Sequence, residues 1–309
     1  MGRIVVIGGD GQLGSDLAQN GKELNLDIVN LLQTAIEITD PASIEEALSA
    51  LEPEVVLNTA ACHGGDQRAP AQQEDFFRVN ALGAWNLARF CRRRDVLLVH
   101  YSTDYVFGRE QTRRRPYVED DSACPVNIYG ASKLAGEDLI RSFCPKHYVI
   151  RVASLYGSAG CRAKGNSNFV KMVLQKARRG ESLRVVNDQH MSPTWTGAVA
   201  RKTCELIHSG AAFGLYHMAG SGYCTWYEFT REILRIAGLS VDVEPTATPE
   251  EGPDELFLRP RWTALENHSL RRAGLSDLPD WREGLEEYIR GFEQSEARAV
   301  LAASRSNLA

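Results

Sequence analysis

Short apolar runs separated by helix-length amphipathic stretches set the strongest limit on how this chain can fold. The runs cover residues 3–8, 27–32, 55–58, 96–101 and 148–152, with a further candidate at 215–218. Each is the length of a strand buried on both faces, as strands of a parallel sheet are. The intervening stretches, near 12–20, 41–51, 70–93 and 129–143, carry helical periodicity. Asp40 can cap the second of them and Pro41 fits its first turn. Strands alternating with helices in this way imply right-handed crossovers on a parallel sheet, an α/β architecture.

The second half changes character. Residues 161–193, and again 220–296, are helix-rich with proline-bearing connections (Pro245, Pro249, Pro253, Pro260). The expected organisation is a nucleotide-binding domain over 1–160, completed by 194–219, and a smaller substrate-binding domain from 161–193 and 220–296. Residues 297–309 are small and polar and are expected to form a loose tail.

Composition excludes several function classes. With 43% hydrophobic and 24% charged residues the chain has the balance of a globular protein. No apolar run approaches bilayer length, and the start, MGRIVVIGGDGQLG, enters a strand pattern without a signal-peptide profile. Val6 stands where a myristoylation signal needs Ser or Thr. Seven scattered cysteines form no C-x-x-C pair, so neither a disulfide framework nor a metal site is indicated. A net charge of −5 argues against nucleic acid as a partner, and the basic runs Arg92–Arg94 and Arg113–Arg115 read as solvated surface. A cytoplasmic protein is expected, with no membrane partner; a homodimer is an allowed assembly.

The segment IVVIGGDGQLGSDLA places Gly8, Gly11 and Gly14 where the first strand turns into a helix. Glycines there let backbone N–H groups approach a diphosphate at the helix N-terminus. The spacing is G-x-x-G-x-x-G, and its place after an N-terminal strand points to a dinucleotide. The fold expectation therefore sharpens to a Rossmann-type doubly wound sheet. After the second strand, an acid would hold the ribose hydroxyl of NAD and an arginine the extra phosphate of NADP. The chain offers Gln33, which does neither strongly, so NADPH and NADH both remain candidates.

The stretch NIYGASKLAGE puts Tyr129 and Lys133 one helical turn apart with only small residues between them. Upstream, VLLVHYSTDYVFG delivers Ser102, Thr103 and Asp104 to the carboxyl edge of a strand, where ligands of open parallel sheets bind. A hydroxyl donor, a phenol and an ammonium group around a nicotinamide are the parts needed to reduce a carbonyl. The phenol supplies the proton that the reduced oxygen takes. A free tyrosine, with a pKa of about 10, is a poor match at neutral pH; a neighbouring lysine favours the phenolate. Thr103 can donate a second hydrogen bond to the same oxygen. The small residues between Tyr129 and Lys133 are expected to leave room for substrate and nicotinamide.

On these residues, and over nearly its whole length, the chain resembles the dTDP-4-dehydrorhamnose reductase family within the extended short-chain dehydrogenase/reductases. The likeness runs through GGDGQLG, EITDPAS, PEVVLNTAA, FFRVNALGAWNLA, VHYSTDYVFG, PYVEDDSACPVNIYGASKLAGE, NFVKMVLQKARRG, VVNDQHMSPTWTG, YHMAGSGYCTWYEF and RPRWTALEN. The resemblance implies reduction of the C4 ketone of a nucleotide-linked 4-keto-6-deoxyhexose, with Thr103, Tyr129 and Lys133 catalytic. It implies a cofactor site lined by Gly8, Gly11, Gln12, Leu13, Glu37, Ile38, Ala60 and Ala61, with Lys133 also on the ribose.

Three segments depart from the family pattern. After NTAA the chain reads Cys62, His63, Gly64, Gly65, Asp66; Ser154 replaces a customary tryptophan; Met191 replaces a customary glycine. All lie where the family holds its sugar, which makes His63, Asp104 and Ser154 the candidate substrate contacts and leaves the sugar open. Rival readings are a 4,6-dehydratase, which needs a glutamate where this chain has Tyr105, a nucleotide-sugar epimerase, and a non-catalytic subunit like the regulatory partner of methionine adenosyltransferase, since fold alone does not settle function.

Overall fold

The computed structural model of the protein describes residues 2–63, 70–110, 112–160, 165–249 and 258–306; side chains are described for these except 70, 71 and 296–306. Gly64, Gly65 and Asp66 lie outside the described residues.

The first crossovers run β1 (Ile4–Ile7), α1 (Gln12–Glu23), β2 (Ile28–Leu31), α2 (Pro41–Ser49) and β3 (Val55–Asn58). They continue through α3 (Pro70–Phe77), a π-helical turn (Arg78–Gly83), α4 (Ala84–Arg94), β4 (Leu97–Thr103), α5 (Ile128–Phe143) and β5 (His147–Val152). Beyond these lie β6 (Leu155–Tyr156), α6 (Phe169–Arg178), β7 (Leu183–Val186), β8 (His190–Met191), β9 (Thr194–Trp195) and α7 (Thr196–His208). The remainder is β10 (Gly214–His217), β11 (Cys224–Thr225), α8 (Trp226–Ile236), β12 (Val243–Thr246), α9 (His268–Arg272) and α10 (Trp281–Ser306).

Six strands form one parallel sheet in the order β10-β5-β4-β3-β1-β2. Successive side chains of a strand point to opposite faces, and the two cores follow that alternation. Ile4, Val6, Val55, Leu57, Val99, Tyr148 and Ile150 pack against α1 and α7 through Leu13, Leu17, Val199 and Leu206. Val5, Ile7, Val56, Leu98 and Val149 pack on the other face against α2, α4 and α5 through Ile44, Leu48, Leu87, Phe90 and Ile140. The chain leaves β1 toward β2 on one side and returns to β3 on the other. The gap between the carboxyl ends of β1 and β3 is thus a topological switch point, where open α/β sheets bind ligands.

A third core gathers Tyr156, Val173, Leu174, Met191, Phe229, Ile233, Trp281, Leu285 and Tyr288 from β6, α6, β8, α8 and α10. The stretch expected as one helix over 70–93 is interrupted by the π-helical turn, which accommodates Asn80. Its Oδ1 accepts from the Cys62 amide at 2.8 Å, and its Nδ2 donates to the Cys62 carbonyl at 2.9 Å and to the Ser132 hydroxyl at 3.0 Å. The loose tail expected after residue 296 is instead helical as far as Ser306, in keeping with the helix-forming alanines, leucine and arginines of EARAVLAASR. No helix of the described residues is long and apolar enough to cross a membrane.

Candidate active site

A cleft of about 1010 Å³ opens at the switch point. Gly8, Gly11, Gln12 and Leu13 line it from the turn into α1, and Gln33, Glu37 and Ile38 from the loop after β2. Ala60, Ala61 and His63 line it after β3, Thr103 and Asp104 after β4, Tyr129 and Lys133 on α5, and Ser154 after β5. All the candidate residues named from the sequence therefore face one cavity.

The glycine turn fits a dinucleotide phosphate. Helix α1 begins at Gly11 with no side-chain cap and no acidic residue in its first turn, so its leading amides are left for an external acceptor with negative charge. A Cβ on Gly14 would lie 2.3 Å from the Gly8 carbonyl oxygen, so only glycine lets the helix start this close to the strand. Glu37 turns its carboxylate to its own loop, where Oε1 accepts from the Thr39 amide and hydroxyl, each at 2.9 Å. Among the described residues the cations lining the cleft are Arg78, Lys133 and Arg259; none lines the recess around Gln33, Glu37 and Glu46.

Helix α5 delivers the Tyr-Lys pair. The Asn127 side chain caps it by accepting from the Gly130 amide at 2.8 Å, which starts the helix one residue before Tyr129. The Tyr129 ring meets Phe76 and Tyr105 edge-on at 6.1 and 6.0 Å. Lys133 is buried, and its Nζ donates to the Tyr101 carbonyl at 2.7 Å. Burial brings its ammonium group down to about 8, with the Glu137 carboxylate opposing that shift.

Gly130, Ala131 and Ser132 do not line the cleft, which corrects the expectation that they make room for ligands. They let α5 dock closely: a Cβ on Gly130 would sit 2.1 Å from the Tyr105 carbonyl oxygen, and Ser132 is fully buried against Asn80. Ser102 is likewise committed, its hydroxyl donating to Glu137 at 2.5 Å.

Thr103 ends β4, where its hydroxyl donates to Asp104 at 3.1 Å and accepts from the Tyr105 amide at 3.2 Å. Burial pushes the Asp104 carboxyl up to about 6, against hydrogen bonds from Thr263 and Thr103. Tyr105 is pushed up to about 12, first by burial and then by the Asp104 charge. Ser154 holds a left-handed backbone, φ 41°. Met191 is buried in the third core and does not line the cleft, so this departure from the family pattern is a packing change.

Several lining residues escaped sequence reasoning. Phe169, Trp226 and Phe229 reach the cleft from α6 and α8, Asn168 from the cap of α6, and Arg259 also lines it. Phe169 and Trp226 lie 4.6 Å apart, centroid to centroid. Their segments, NFVKMVLQKARRG and YHMAGSGYCTWYEF, and RPRWTALEN for Arg259, are visible as motifs, but nothing in their spacing says which side chains turn toward a shared cavity.

A family model for the RmlD substrate binding domain matches residues 2–294. The chain is 35% identical over 289 residues to the spore coat polysaccharide biosynthesis protein SpsK of Bacillus subtilis, covering 94% of this chain and 97% of that one. It is also 35% identical over 285 residues to the dTDP-4-keto-6-deoxy-D-glucose reductase of Streptomyces niveus, covering 92% and 95%. Among solved structures, the dTDP-4-dehydrorhamnose reductase of Bacillus anthracis in complex with NADP superposes with a TM-score of 0.85 at 31% identity, covering 94% of this chain and all of that one.

Proposed function

The chain belongs to the family of the RmlD substrate binding domain, and on that premise we propose that it is a nicotinamide-dependent reductase of a nucleotide-linked 4-keto-6-deoxyhexose. The observation that carries the reading is the cleft itself, in which an uncapped glycine turn and the set Thr103, Tyr129 and Lys133 line one cavity.

When bound, the reduced nicotinamide supplies the hydride. The chain supplies the rest. Amides of the α1 first turn hold the diphosphate, and the Lys133 ammonium, fixed by the Tyr101 carbonyl, keeps donors for the ribose. Tyr129 holds the proton that passes to the C4 oxygen as it gains negative charge. Thr103 turns its hydroxyl from Asp104 to that oxygen and stabilises the charge. His63, Asp104 and Ser154 border the sugar, and Arg259 offers a cation to the nucleotide phosphates. Tyr105 stands at the position where a dehydratase needs a glutamate. A phenol pushed up to about 12 there stays protonated at neutral pH and cannot take up the proton that the glutamate would, which favours reduction over dehydration.

The test is loss of reduced-nicotinamide absorbance with a panel of nucleotide-linked 4-ketosugars, with the product identified by NMR. Stoichiometric formation of a 4-hydroxy sugar supports the reading. Isomerisation without net oxidation of cofactor would assign an epimerase, and no turnover with any sugar would leave a binding protein.

A further inference from the structure

From Lys133 in the cleft wall, a row of buried polar side chains runs back through two residues, His100 and Asn58, to which the proposed reduction gives no role. Asn58 ends β3, His100 lies in β4 and Lys133 in α5, and each is 1% exposed. Asn58 Nδ2 lies 3.0 Å from His100 Nδ1, and His100 Nε2 lies 3.3 Å from Lys133 Nζ. At the other end of the row, Asn58 Oδ1 accepts from the Ala60 amide at 3.2 Å, and Ala60 lines the cofactor side of the cleft.

A neutral imidazole has one N–H and one lone pair. Burial and the neighbouring Lys133 hold His100 well below the usual imidazole range, so the ring stays neutral. The charged and titratable groups near the row are few. Glu137 follows Lys133 by one turn on α5 and is held by Arg151 of β5, Tyr129 precedes it by one turn, and β3 presents Asn58.

Two protonation patterns satisfy the row. In one, Asn58 keeps the Ala60 amide on Oδ1 and donates from Nδ2 to His100 Nδ1. The imidazole proton then sits on Nε2 and points at Lys133, whose nitrogen can accept it only as a neutral amine. In the other, Lys133 is an ammonium group and donates to Nε2. The imidazole proton sits on Nδ1, the Asn58 amide turns over to accept it, and the Ala60 N–H loses its acceptor. The second pattern holds one more proton than the first, taken from solvent. A charged Lys133 and the Asn58–Ala60 hydrogen bond therefore exclude one another.

We propose that His100 is a positioning residue which, by exchanging tautomers, couples the charge on Lys133 to the Ala60 amide in the cofactor-side wall. Its effect on turnover rests on Lys133 serving the reduction; the tautomer exchange itself does not.

The decisive measurement is long-range proton–nitrogen NMR of the full chain labelled with nitrogen-15 histidine, titrated across the Lys133 transition, with His100 assigned through His100→Gln. The expected spectrum shows the Nδ1–H tautomer at low pH and the Nε2–H tautomer at high pH, whereas Lys133→Met holds Nε2–H throughout. A single tautomer at all pH values, or an exchange that persists in Lys133→Met, overturns the proposal. A second variant reads the same coupling through catalysis. Asn58→Ala frees His100 from Ala60, so the basic limb of the kcat profile should move up by about 0.5–1 pH unit, the worth of one hydrogen bond, at unchanged KM for the ketosugar. A uniform drop in kcat with no displaced limb would reduce the row to packing. If no ketosugar is turned over at all, the reductase reading fails while the NMR result still stands.

Discussion

Glu137 and Arg151 meet in a bidentate ion pair, 2.7 Å at its shortest, with side chains 0% and 2% exposed. Removing one partner of such a pair strands a buried charge and costs about 3–5 kcal/mol. Glu137→Gln should lower unfolding stability by that amount in urea. The exposed pair Arg201–Glu287, at 3.1 Å with both side chains about half exposed, makes the internal control: Glu287→Gln should change stability by less than about 1 kcal/mol. Similar losses in the two variants would mean that the buried pair is relaxed by water.

Tyr129→Phe removes the proposed proton source and leaves the ring packing on Phe76 and Tyr105. Turnover should fall by about a hundredfold or more, with cofactor affinity nearly unchanged in a fluorescence titration. Lys133→Ala should weaken both, since its charge serves the phenol and its donors the ribose. Parent-like turnover in Tyr129→Phe would remove that residue from the mechanism.

Asp104 links stability to pH in the sense opposite to a salt-bridged acid. Its folded-state pKa is raised from 3.8 to about 6. Below both values the carboxyl is protonated in the folded and unfolded chains alike. As pH rises from 4 through 6, the unfolded chain gives up the proton first, so stability falls, and the loss is complete above the folded value. The loss is on the order of 3 kcal/mol. Asp104→Asn should flatten this slope in denaturation midpoints recorded between acid and neutral pH; a slope identical to the parent's assigns it to other groups.

Cofactor choice should be weak. Gln33 can bond either form of the ribose but brings no charge to a 2′-phosphate, and the nearby recess has carboxylates at Glu37 and Glu46. The expected preference between NADPH and NADH is under about tenfold, or about 1.4 kcal/mol. Gln33→Arg should move it toward NADPH. A hundredfold preference in the parent protein would mean that another residue reads the phosphate.

Ser154 lines the cleft and, on the proposed reading, offers the sugar a hydroxyl where the family's sequence pattern has an indole. The preferred substrate is therefore expected to be a 4-ketosugar other than, or in addition to, the dTDP-rhamnose precursor, because a site built around an extra hydroxyl rejects analogues that lack it. Competition between 4-ketohexoses differing in ring hydroxyls tests this. Ser154→Trp should narrow the range; serine already occupies the left-handed backbone there, φ 41°, so the exchange is read through the pocket rather than through backbone strain. If the rhamnose precursor wins by a hundredfold and Ser154→Trp changes nothing, the serine is neutral.

The sheet was readable because its signal is local: apolar runs such as IVVI and VVLN, four residues long, are buried on both faces. The glycine turn and the Tyr129–Lys133 spacing are equally local, and they lie in the cleft. What stayed hidden depends on contacts between residues far apart in the chain. Tyr156, Phe229 and Tyr288 share one core without any common periodicity. Arg259 reaches the cleft from a segment whose neighbours gave no sign of its direction. The role of Gly130 required knowing that the Tyr105 carbonyl lies against it.

The widened turn at Arg78–Gly83 makes the length of this segment as constrained as its composition. An α-helix advances about 100° per residue, and the π turn absorbs a residue that an α-helix would carry forward. Upstream of it Phe76 touches Tyr129; downstream Leu87 and Phe90 face the sheet. Removing the extra residue would leave a regular helix with the two faces still in phase, but it would take away the widened turn that presents Asn80 to Cys62 and Ser132, whereas a further insertion would rotate one face by about 100° against the other. Insertions and deletions here should be excluded even where single substitutions are tolerated, and frame-preserving length changes should be found in the loops on either side.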